Sequence, residues 1–158
     1  LGSSSSNVTK YPHTFSSFSL WLLLSLTLLS GWCRGAEPVD ILVNSAQAKE
    51  EVTLRELRAI YTMKQRLWSD GETITVFVLP EASVAHRDFC KKILGVFPRQ
   101  LKSVWYRAVY TGTGVAPIEV KTEQELIERV SQTKGAIGYV LAERKYEKTT
   151  TKIIKLTR

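Results

Sequence analysis

The chain encodes an α/β domain, its sheet mixed or mostly parallel and flanked by helices. Three observations predict this. Short β-branched runs alternate with amphipathic stretches over residues 36–158, the order of a layered α/β sheet. Two threonines stand three residues ahead of a glutamate where an apolar-periodic stretch begins, Thr53 with Glu56 and Thr122 with Glu125, the pattern of a capping box. The strand-like runs stop at turn or breaker residues, Asn44-Ser45 after the first and Pro80 after the second.

The elements follow in order. Asp40-Ile41-Leu42-Val43 reads as a buried strand and Asn44-Ser45 as the loop after it. Thr53 caps a helix whose Leu54, Leu57, Ile60 and Tyr61 fall on one side. Ser69-Asp70-Gly71 is a turn, and Ile74 to Leu79 is a strand by its β-branched and aromatic content. Ser83 caps a helix through Leu94, with Phe89, Cys90, Ile93 and Leu94 on its apolar face and Gly95 stopping it. Pro98 suits the first turn of the next helix. There Leu101, Val104, Trp105, Ala108 and Val109 form the cleanest amphipathic stripe in the chain. Thr111-Gly112-Thr113-Gly114 with Pro117 is a connecting loop. The second capping box opens a helix through Gln132 with Leu126, Ile127 and Val130 inward; Gly135–Val140 and Thr151–Leu156 are the last strands, with a polar exposed turn over Lys145–Lys152. No internal repeat is present.

The length of 158 residues allows one ordinary domain. Residues 1–35 read as a leader and 36–158 as the domain. Phe18–Ser30 is an apolar run the size of a signal-peptide core, and small residues at Cys33, Gly35 and Ala36 suit cleavage after Gly35. A membrane anchor is the alternative, as is a lipoprotein on Cys33, where Trp32 stands in place of a small residue. Cleavage leaves no stable membrane span. It removes Lys10 and Arg34 and no acid, so the formal charge of +7 falls by two, to +5. That excess favours acidic partners. Basic residues are interspersed with acids, as in Arg55-Glu56 and Glu128-Arg129, and no basic stripe with interleaved aromatics points to nucleic acid. Cys90 would be left without a disulfide partner.

Open α/β sheets hold ligands beyond the carboxyl ends of their strands. Helix starts there offer unpaired amides and the positive end of a dipole to an anion. Two places fit: the Asn44-Ser45 loop, and Pro80 to Ala85, where a strand hands over to the helix capped by Ser83. His86 and Cys90, four apart on one helix, raise a thiolate–imidazole nucleophile. Asp88 points to another face, and the chain past the leader has no second histidine; no catalytic residue is assigned. One His and one Cys are too few for a metal, and no cofactor is expected. The Thr111–Gly114 loop lacks the lysine and spacing of a phosphate loop and follows a helix. Trp68, Trp105 and Tyr106 read as packing residues.

Two phrases, LRELRAIYTMKQRLWSDG from Leu54 and GAIGYV ending at Val140, with RDFCKKILGVFPRQLKSVWYRAVYTGTGVAPIEV between them, resemble the periplasmic substrate-binding proteins of phosphate-type ABC importers. The resemblance covers nearly all of Asp40 to Leu156, and the segment between the phrases looks like the short single-unit members. It implies a periplasmic-binding-protein-like domain of type II, exported to the periplasm. Phosphate or a similar oxyanion would be the ligand, and an ABC permease or other envelope protein the partner. The family's turn carries an Arg and a Ser-Gly-Thr that grip phosphate; here Leu79 holds the Arg position and Ser83-Val84-Ala85 that of the triplet, with Arg87 one turn on as a substitute cation. The ligand residues expected are therefore Asn44, Ser45, Ser83, Val84, Ala85 and Arg87. A complete two-lobed member is about twice as long. The missing Arg and Gly-Thr support an alternative, an envelope interaction module that kept the fold without the ligand.

Overall fold

The structure is a computed structural model and describes residues 2, 39–47, 49–142 and 151–157. The leader, its cleavage site and residues 143–150 of the polar turn lie outside the described residues. The order is β1 (Val39–Asn44), β2 (Glu51–Thr53), α1 (Leu54–Tyr61), β3 (Thr75–Val78), α2 (Val84–Asp88) running into a π-helix (Phe89–Leu94), α3 (Pro98–Tyr110), β4 (Ile118–Glu119), α4 (Glu123–Gln132), β5 (Ala136–Leu141) and β6 (Thr151–Thr157). The six strands form one sheet ordered β2-β6-β1-β5-β3-β4. β1 is antiparallel to both β5 and β6, while the other pairs are parallel. All strands but β1 therefore run the same way. The short β2 and β4 were not foreseen from the sequence.

Adjacent residues of a strand point to opposite faces, and β5 shows what each face carries. A Cβ on Gly138 would meet Leu126 and Val130 of α4. Tyr139 instead stacks on Phe89, ring centroids 4.0 Å apart, and meets Tyr61 at 6.0 Å. So α4 covers one face, and α1, α2 and the π-helix cover the other. Gly138 lets α4 approach the sheet closely. The two sequence phrases also touch: the Trp68 indole donates to the Gly135 carbonyl at 2.9 Å, and Gly135 takes a φ of +70° against the backbone of Thr73.

The helix starts are capped by Thr53, Ser83 and Thr122, each accepting from the amide three residues on at 3.1 Å. The capping boxes are half made. Glu56 turns to Lys49 at 2.6 Å, and Glu125 accepts from the Lys121 amide at 2.9 Å. The end of α1 is a Schellman motif. The Lys64 amide reaches Ala59 and that of Met63 reaches Ile60, and Met63 holds the left-handed position at φ 63° where glycine is usual.

Helix α3 departs from the sequence expectation. An apolar stripe of this kind normally lies against a core, yet only Pro98 and Leu101 are buried. Val104 and Val109 are 39% and 46% exposed, and Tyr110 is 94% exposed. The helix is seated along one narrow line, Leu101 with the partly buried Trp105 and Ala108, and its remaining faces stand as a ridge.

Candidate ligand-binding site

The reversal of β1 separates the two expected ligand places. Asn44 follows Val43, which lies opposite Ile137 near the amino ends of β5 and β3. Ser83 follows the carboxyl end of β3, at the opposite end of the strands. Asn44 is buried and occupied: its amide donates to the carbonyls of Val130 at 3.0 Å and Ser131 at 2.8 Å, and its oxygen accepts from Ala46 at 3.0 Å. It ties β1 to the end of α4. Ser45 is exposed beside it.

At that end Ser83 as the cap and Val84, Ala85 and Arg87 on α2 stay together. Ser83 Oγ caps the His86 amide at 3.1 Å, which leaves its proton free to donate. The amides of Val84 and Ala85, in the first turn, have no partner among the described residues. Arg87 folds back, its Nη1 donating to the Ala82 carbonyl at 2.6 Å. Leu79, at the expected Arg position, is 2% exposed.

Below this turn lies a buried polar chain. The Leu79 amide donates to Tyr139 Oη at 3.1 Å, and that hydroxyl is hydrogen-bonded to His86 Nδ1. On the other side of the ring His86 Nε2 faces Cys90 Sγ at 3.5 Å. Burial lowers the His86 pKa, with Glu81 opposing, and so favours a neutral ring. Burial pushes the Cys90 thiol up to about 12 and raises Tyr139 as well. The histidine–cysteine pair thus exists, but as an inert protonated contact in the core; a nucleophile needs the thiolate.

Above the chain opens a groove of about 760 Å³. Val78, Leu79 and His86 form its floor, Trp105, Tyr106 and Tyr110 of α3 one wall, and Ala116, Pro117 and Glu119 the other. Trp105 lies over His86 with ring centroids 6.2 Å apart and donates its indole proton to the Tyr61 carbonyl at 2.7 Å. Lys102 reaches Glu81 at 3.7 Å and sits 5.9 Å from the Tyr106 ring centroid. Trp105, read from sequence as packing, does pack against the core and lines the groove as well, while Tyr106 is an exposed part of its wall. The usable signal was the pair Tyr106 and Tyr110 one turn apart beside Trp105. The Thr111–Gly114 loop has no free amide for an anion: those of Gly112, Thr113 and Gly114 all bond α3 carbonyls at 2.9 to 3.1 Å. Among the described residues no cluster of His, Cys, Asp or Glu could hold a metal, and no helix is long and apolar enough to cross a membrane.

No protein-family profile and no curated protein matches the chain. Solved structures do. An ABC-type phosphate transport receptor from Vibrio cholerae is similar at 17% identity and TM-score 0.58, over 75% of this chain and 45% of that one. A putative phosphate ABC transporter substrate-binding protein with bound phosphate from Clostridium perfringens is similar at 19% identity and TM-score 0.59, over 75% and 44%. PstS from Borrelia burgdorferi is similar at 16% identity and TM-score 0.55, over 75% and 46%. The chain spans less than half the length of these structures. At such identities the likeness is one of fold, and in fold the described domain matches one lobe of a phosphate-type substrate-binding protein.

Proposed function

We propose that the chain is an exported, non-catalytic ligand-binding domain of the periplasmic substrate-binding type, taking phosphate or a related oxyanion at the start of α2 and serving an ABC permease. One observation carries the reading. In a fold shared with phosphate receptors, the carboxyl end of β3 delivers a helix start with a free hydroxyl proton on Ser83 and unpartnered amides on Val84 and Ala85. An anion suits such a start. Arg87 adds charge when it releases the Ala82 carbonyl. Asn44 and Ser45 belong to the opposite end of the strands and take no part.

The second reading is an envelope interaction module on the same fold. Leu79 in the groove floor and the exposed apolar residues of α3 favour it. Calorimetric titration of phosphate into the protein at low salt, with sulfate for comparison, separates the two. Saturable heat that Ser83→Ala abolishes, in a variant with an intact unfolding transition, supports the receptor. No heat up to millimolar phosphate refutes it and leaves the module.

A further inference from the structure

Helix α3 stands between two depressions of different chemistry. On one side is the aromatic groove just described. On the other is a shallower one of about 480 Å³, where Lys64, Arg66 and Arg107 are the charged lining residues. Arg107 lines both. All three cations are exposed, and none has an ion-pair partner among the described residues. The threonine hydroxyls around them are occupied, Thr62 donating to Arg58 and Thr111 to Arg107. That side therefore offers charge and few neutral donors.

The size and lining of the aromatic groove are those of an organic-ligand site; such pockets run to about 300–1,000 Å³, mostly apolar with a few placed polar groups. An inorganic oxyanion gains nothing from rings and loses water against Leu79 and Val78. A planar apolar body instead stacks on Trp105, Tyr106 and Tyr110. An acidic group on that body meets Arg107, and the fork of a guanidinium suits a carboxylate, sulfonate or phosphate. We propose that the α3 ridge binds an aromatic organic anion, its ring system in the groove and its acidic group at Arg107. This does not rest on oxyanion binding at Ser83.

The test is fluorescence titration of the full chain with 1-anilinonaphthalene-8-sulfonate at low salt. Saturable one-site binding is expected, with inorganic sulfate at the same concentration failing to displace the dye. Arg107→Gln should weaken it about ten-fold, as loss of one charge-assisted bond would. Tyr110→Ala should weaken it by about five-fold, as loss of a stacking ring would. Both residues are exposed, so the unfolding transition should not move. Non-saturating fluorescence, or an affinity unchanged by either variant, overturns the proposal. The oxyanion reading is decided by phosphate heat in Ser83→Ala, so the two can fail separately.

Discussion

Replacing Tyr61 with phenylalanine removes one oxygen from the middle of the protein. Tyr61 is 0% exposed, with its ring 4.6 Å from that of Phe89 and 6.0 Å from that of Tyr139. Its hydroxyl has no hydrogen-bond partner among the described residues. In the unfolded chain water satisfies that hydroxyl, and a buried one without a partner costs about 1–3 kcal/mol. Phenylalanine keeps the ring contacts and drops the cost. Tyr61→Phe should therefore be more stable by about 1 kcal/mol, at the lower end because the oxygen leaves a small void. The assay is urea unfolding of both proteins, with the midpoint rising at constant slope. The difference should widen in alkali. Burial holds the folded phenol well above its ordinary range, so the unfolded phenol ionises first. A raised folded pKa contributes stability below the unfolded value, about pH 10, and loses it as pH rises further. A variant less stable than the parent would refute the reasoning and show that the hydroxyl holds a bond.

Three more outcomes are expected. Gly138→Ala should cost about 1–3 kcal/mol in the same urea assay, from overpacking, since its Cβ would lie 2.5 Å from Leu126 Cδ2 and 3.1 Å from Val130 Cγ2. Cys90, 0% exposed with its thiol pushed up to about 12, should resist an aromatic disulfide reagent in native buffer and react at once in denaturant. His86, its pKa lowered by burial, contributes stability above its unfolded value of about 6.5 that is lost as pH falls through the lower folded value. Stability should therefore drop below about pH 6.5, and His86→Gln should flatten that slope.

Helix caps and breakers were legible in the sequence because they act locally. Ser83 needs only its own dihedrals and the next amides, and Gly95 only its φ of +72°. Strand direction was not legible. An apolar run such as Ile41-Leu42-Val43 looks the same whichever way it enters a sheet, and the reversal of β1 is what parts Asn44 from Ser83. Asn44 carried a ligand-like signal for a structural reason, since a strand end facing helix carbonyls needs a double donor. Periodicity located the stripe on α3 but could not say that Val104 and Val109 on it stay exposed among the described residues. The left-handed Met63 gave no sign in composition; methionine has no preference for that conformation, and its side chain lies where a Cβ on Gly114 would fall, 2.8 Å from its sulfur.

The central position of β1 also bears on the order of events in folding. It is hydrogen-bonded to β5 on one side and to β6 on the other, so an early strand waits for two late ones. β2, made soon after, pairs with β6. Residues up to 142 hold β1, β5, β3 and β4, but one edge of β1 stays open and β2 has no mate until Thr151–Thr157 join the sheet. Pairings so distant in sequence form slowly. A nascent chain arrested before β6 would carry a bare apolar strand edge, a target for chaperones or for pairing with a neighbouring chain.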